Sequence, residues 1–121
     1  MGASESDPAT MEVAARISDE IAAIHLESYG EEAESVATHI VDDLVVCILD
    51  IHLLAHERTL LDHSRGEDSI RQIRREYQES IAPTFCATVE HMTGRRVIGF
   101  ISETHIDPPF SVELFRLAPS A

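Results

Sequence analysis

The 121-residue chain contains no lysine: all nine of its basic residues are arginine. A P-loop lysine, a Schiff-base lysine and a lysine general base are thereby excluded. Positive charge is scarce altogether, since 22 acidic residues stand against those nine and the formal net charge is -13 at pH 7. Such a charge repels phosphate backbones and anionic membrane surfaces, so no nucleic acid partner is expected. No run of about 18 apolar residues occurs, which rules out a membrane-spanning helix and direct membrane insertion. The polar N-terminus carries no apolar signal core, and a cytoplasmic protein is expected. Cysteine is limited to Cys47 and Cys86, both in apolar stretches. In a reducing compartment they read as packing residues, not as a disulfide or a nucleophile. There is also no Gly-x-Ser-x-Gly elbow, and Asp42-Asp43 reads as a tight turn rather than a catalytic carboxylate pair. No enzyme, no catalytic residue and no cofactor is expected.

What is present is periodic apolar sequence. Asp7-Pro8 opens a helix, with Asp7 as cap and Pro8 in the first position. Val13, Ile17, Ile21 and Ile24 continue it along one face, and Gly30 ends it. Val36 to Val41 alternates, Asp42-Asp43 turns, and Leu44 to Leu49 is a continuous branched apolar run, together predicting a hairpin with an interior second strand. Leu53 to Asp62 predicts a short helix with Leu53, Leu54, Leu60 and Leu61 inward. From Gly66 a long helix follows, with Ile70, Ile73, Tyr77, Ile81, Phe85, Val89 and Met92 on one stripe. Its other face carries Glu67, Arg71, Arg74, Arg75, Glu76 and Glu79 as a solvated surface. Gly94 supplies the left-handed stop, and Pro83 predicts a kink or break near Ser80 to Pro83. Arg96 to Ser102 and Ser111 to Leu117 are predicted strands, separated by a turn over Thr104 to Pro109.

The order α-β-β-α-α-β-β, with hairpins and amphipathic helices, predicts an α+β fold. We expect a four-stranded antiparallel sheet of two hairpins with the helices packed on one face. Residues 1–9 are expected to form a flexible tail and 10–118 a single domain. The uncovered sheet face then needs water or a second subunit. Phe100, Phe110 and Phe115 would supply apolar surface there, and a homodimer is expected.

From Ile51 to Leu117 the chain resembles the family named after the MpsC component of a sodium-translocating, membrane-potential-generating system, long known as a domain of unknown function. The matching residues are Leu53-Leu54-Ala55-His56-Glu57-Arg58-Thr59-Leu60, then Gly66 followed by Ile70, Arg71, Ile73, Arg74 and Arg75. Val89-Glu90-His91-Met92-Thr93-Gly94-Arg95-Arg96-Val97 and the closing Leu114-Phe115-Arg116-Leu117 complete the pattern. Leu54 stands where the family usually has a threonine, so the capping box that threonine would form with Glu57 is expected to be absent. The resemblance implies association with membrane sodium or bicarbonate transport; together with the acidic composition and the lack of a catalytic motif, it leads us to expect a non-catalytic accessory or regulatory protein with a membrane transporter as partner.

Two clusters carry the alternative, a small-anion or metal sensor. Arg71, Arg74, Arg75, Arg95 and Arg96 gather guanidinium groups able to clamp a carboxylate, bicarbonate or phosphate. Acids at neighbouring i,i+4 positions favour ion pairing within the helix instead. His52, His56 and Glu57 hold two imidazoles four residues apart beside an acid, but without the His-Glu-x-x-His order of a zinc protease. No metal is expected there. An accessory protein should expose an apolar surface, and a sensor should enclose a cavity of convergent polar groups.

Overall fold

The structure is a computed structural model and describes residues 5–120; residues 1–4 of the expected tail lie outside the described part. Its elements are α1 (Pro8–Tyr29), β1 (Ser35–Val41), β2 (Leu44–Asp50), α2 (Ala55–Leu60), α3 (Gly66–Thr93), β3 (Val97–His105) and β4 (Phe110–Leu117). The four strands form one open antiparallel sheet in the order β1-β2-β4-β3. This is the expected α+β arrangement, and β4 enters between the two strands that precede it.

Local chemistry sets the helix ends. The Asp7 side chain accepts a hydrogen bond from the Ala9 amide, Pro8 occupies the first turn, and Gly30 closes α1 in the left-handed conformation at φ 72°. The first helix thus takes in residues 8–10, which the sequence had assigned in part to the tail, and Thr10 is buried. Gly94 closes α3 in the same way at φ 69°. Between β1 and β2 the two-residue turn Asp42-Asp43 forms as expected, with Asp42 at φ 53°.

The core lies between the sheet and the pair α1 and α3. Ile17 and Ile21 come from α1, Val45, Cys47 and Leu49 from β2, Ile81, Phe85 and Val89 from α3, and Phe115 and Leu117 from β4. A second, smaller cluster of Leu53, Ile70 and Ile106 seats α2 at one end, with Leu60 against it. Leu61, expected inward, is exposed because α2 stops at Leu60.

Three expectations for the second half change. The buried face of α3 is Gly66, Ile70, Arg74, Gln78, Ile81, Phe85 and Val89, so Arg74 points inward whereas Tyr77 is 48% exposed. Steps of four from Gly66 to Gln78 turn the buried line away from the Ile73–Tyr77 side, and the partner that makes burial of Arg74 tolerable comes from α2. Secondly, the chain does not break at Pro83: α3 continues through it as one helix. Pro83 is exposed, so the Glu79 carbonyl that loses its donor faces water, while Ile81 and Phe85 pin the helix on the opposite side. Thirdly, Phe100 and Phe115 belong to the core side of the sheet, with ring centroids 5.0 Å apart and Phe85 beyond at 6.5 Å from Phe100. Of the three phenylalanines assigned to the uncovered face, Phe110 alone alternates onto it.

Gly66 is required by a close approach. A Cβ there would fall 1.8 Å from the Leu60 carbonyl oxygen, which is backbone and cannot swing away. A Cβ at Gly30 meets nothing within 4 Å and incurs only the left-handed strain. Gly66→Ala should therefore lower the unfolding free energy by about 3 kcal/mol, against about 1 kcal/mol for Gly30→Ala. Urea denaturation of both variants checks this; equal losses would show that the α2–α3 junction does not hold the approach described.

Candidate functional site

The five arginines do not form one site. Arg74 lies at the α2 end of α3, whereas Arg95 and Arg96 follow its other end, about 30 Å away along the helix axis at 1.5 Å per residue. Arg71 is on the surface, paired with Glu67 at 3.4 Å and Asp68 at 3.7 Å. Arg75 and Arg96 are exposed and have no ion pair among the described residues. Arg95 Nη2 donates to Asp43 Oδ1 at 2.5 Å and to the Ala118 carbonyl at 2.6 Å. It thereby clasps the β1–β2 turn to the chain beyond β4, and the guanidinium holds the Asp43 carboxyl below the usual range.

Arg74 is the organising residue of the other end. Its Nε and Nη2 donate to Glu57 Oε2 and Oε1, each at 2.7 Å, and both side chains are 2% exposed. Glu57 Oε1 also accepts from the Leu54 amide at 2.7 Å. One half of the capping box thus survives without threonine: the helix start is satisfied by the glutamate alone. The guanidinium lies over the Tyr29 ring of α1 at 4.5 Å, and Tyr29 meets in turn the tilted rings of His25 at 4.7 Å and Tyr77 at 5.4 Å. Burial pushes both Glu57 and Arg74 toward their neutral forms, but the paired hydrogen bonds prevail, holding Glu57 below its ordinary pKa and Arg74 above its own. Burial, with Arg74 nearby, lowers His25 to about 4, so it is neutral at physiological pH.

This engagement decides the histidine cluster. Both Glu57 oxygens are taken, His52 on the linker after β2 lies 4.0 Å from Glu34 just before β1, and His56 is exposed. The three residues are not brought together, and no group of three or more His, Cys, Asp or Glu able to hold a metal ion occurs among the described residues. A cavity beside Tyr29, Glu57 and Arg74 measures about 50 Å³, far below the few hundred Å³ of a small-molecule site.

A second buried acid went unnoticed in the sequence. Glu113 sits on the core side of β4, directly between Cys47 of β2 and Ser102 of β3. Thr38 of β1 completes that row and contacts Ser18 of α1 at 2.7 Å. Glu113 is 3% exposed, and neither its Oε2 nor the Ser102 hydroxyl has a hydrogen-bond partner among the described residues. Burial raises its carboxyl to about 7. Burial likewise pushes the Cys47 thiol up to about 11, so it is no thiolate at neutral pH. Alternation was the available signal: in Ser111–Leu117 every second residue from Ser111 faces inward, and Glu113 falls on that phase.

The opposite phase builds the uncovered face. Two cross-strand rows run over it, His39-Val46-Leu114-Ile101 and Ala37-Ile48-Val112-Glu103. Ile101 is 60% exposed, and Ile48 and Val41 are also exposed. No helix covers these residues, and the surface is apolar at its centre in a chain of strongly acidic composition.

A family model described as the Na+-translocating membrane potential-generating system (MpsC) matches residues 9–119. The chain belongs to that family. No curated protein and no solved structure was found to match it. No helix among the described residues is long and apolar enough to cross a membrane.

Glu113 makes stability depend on pH in a defined sense. Its folded pKa of about 7 lies above the ordinary carboxylate value, so between these two values the folded state holds a proton that the unfolded state releases. Stability is full below the lower value and falls as pH rises through the higher one. Glu113→Gln should remove this dependence and make the protein about 3 kcal/mol more stable than wild type at pH 8. Denaturant unfolding at pH 5 and pH 8 tests it; a difference between wild type and variant that does not change with pH would contradict the assignment.

Proposed function

We propose that this member of the MpsC family is a non-catalytic accessory protein of a sodium-translocating, membrane-potential-generating system. It works in the cytoplasm as a homodimer and acts by holding a protein component of the membrane system. The observation that carries this reading is the uncovered apolar sheet face centred on Val46, Ile48, Val112 and Leu114. A contiguous apolar surface free of acids at its centre, on a chain of net charge -13, is built for protein contact. The family description names sodium, which favours sodium over bicarbonate as the transported ion. The polar groups support the same reading. The buried Arg74–Glu57 pair holds elements together, and the small cavity beside it is too tight for a ligand.

The test is made in cells carrying the gene. Deletion should reduce the sodium-dependent membrane potential reported by a potential-sensitive dye, and wild-type protein should restore it. Val46→Glu/Leu114→Glu, confirmed as folded by circular dichroism, should fail to restore it. A deletion strain with unchanged potential in sodium medium would refute the proposal.

A further inference from the structure

The free edge of the sheet at β3 has a pattern that the homodimer reading leaves unused. This strand of nine residues has β4 on one side and no strand on the other. Beyond the Val97 amide, which donates to Glu90 Oε2 at 2.8 Å, a row of backbone donors and acceptors is therefore open to another chain, and neither proline nor lysine guards it. Two of the most exposed large apolar side chains in the structure lie on it, Ile98 at 53% and Ile101 at 60%. Arg96 sits just before the strand and Glu103 near its end; both are exposed, and neither has an ion pair among the described residues.

The register makes these residues self-complementary. Val97 pairs with Leu117 and Gly99 with Arg116, so Ile98 is an extra residue, a bulge. The bulge resets the alternation: Val97 packs on the core, Arg96 alternates to the other face, and Gly99, Ile101 and Glu103 share that outer face. Antiparallel pairing of two identical strands requires a two-fold axis through one residue, with opposite residues facing the same side. Place the axis at Phe100 and count the bulge as one position. Gly99 then stands opposite Ile101 of the second copy, with Ile98 beside it, and Arg96 stands opposite Glu103. By symmetry each contact occurs twice. Moving the axis by one allowed step sets Arg96 against His105 and Gly99 against Glu103, and both charge contacts are lost.

We infer that the partner of this edge is a second copy of the chain, joined β3 to β3 about Phe100 in a continuous eight-stranded sheet. The Arg96 and Glu103 contacts close both ends, and the isoleucines lie over the joint. The two uncovered apolar faces then become one surface of twice the length, still open to the transport partner. This inference rests on the homodimer reading and names the surface that makes it.

Sedimentation equilibrium over a wide concentration range reads the result directly. Wild type should approach twice the 13.4 kDa chain mass. Arg96→Glu alone, or Glu103→Arg alone, places like charges opposite each other and should weaken the dimer about tenfold or more. Combining the two reversals should restore the affinity to within about threefold of wild type. Independently, Arg96→Cys/Glu103→Cys should form an intermolecular disulfide on mild oxidation, since directly opposed antiparallel residues lie within disulfide reach. Wild-type protein that stays monomeric throughout overturns the homodimer reading and this inference together. A dimer that is unaffected by the single reversals, or not rescued by the double one, overturns the β3 joint while leaving the homodimer in place.

Discussion

The buried pair of Glu57 and Arg74 is the interaction on which the arrangement of helices depends. Two charges at 2% exposure are costly to bring out of water, and the cost is offset only if nearly every donor and acceptor is engaged. Here the two parallel hydrogen bonds, the Leu54 amide and the Tyr29 ring meet that requirement. The partners come from α1, α2 and α3, so satisfying the pair fixes all three relative to one another. An apolar replacement of similar volume could match its energy but would carry no directional hydrogen bonds to select one rotation of α3. The pair accepts one, and that rotation turns Arg74 and Gln78 inward and Tyr77 outward.

Once the helices are fixed on one side, the rest of the architecture follows from strand alternation. Gln78 Nε2 donates to Thr104 at 2.8 Å, and Thr104 meets Ser111 at 3.2 Å. Beside the buried pair, a polar layer therefore runs from α3 onto the sheet floor as far as Ser111. Each inward residue of β4 dictates an outward neighbour, so Glu113 in the interior implies Val112 and Leu114 at the centre of the uncovered face. The buried acid Glu113 and the proposed docking surface are thus on opposite sides of one strand.

Much of this was legible in the sequence because it is local. Asp7-Pro8, Gly30, Gly94 and Asp42-Asp43 marked their turns and caps by backbone chemistry alone, and the element order followed from them. What could not be read was longer in range. Arg74 fits the polar face of a helix by its neighbours, and its inward direction is decided by an acid 17 residues away on another helix. Pro83 signalled a missing donor, but its consequence depended on which side of α3 faced water. The phenylalanines were recoverable in part: Phe110 and Phe115 are five apart, so a single strand cannot present both on one face. The extra residue Ile98, which sets the phase of the outer edge, is visible only once β3 is paired with β4.

The most direct measurement of the central claim is a double-mutant cycle on the buried pair, using Glu57→Leu, Arg74→Met and both together, followed by denaturant unfolding at pH 7. If the pair fixes the helices, each single change leaves a buried charge unmatched and lowers stability by about 3–5 kcal/mol. The double variant should then lose far less than the sum, with a coupling of about 2 kcal/mol or more. Additive losses would mean that Glu57 and Arg74 do not act through each other, and that the packing of α1, α2 and α3 has another cause.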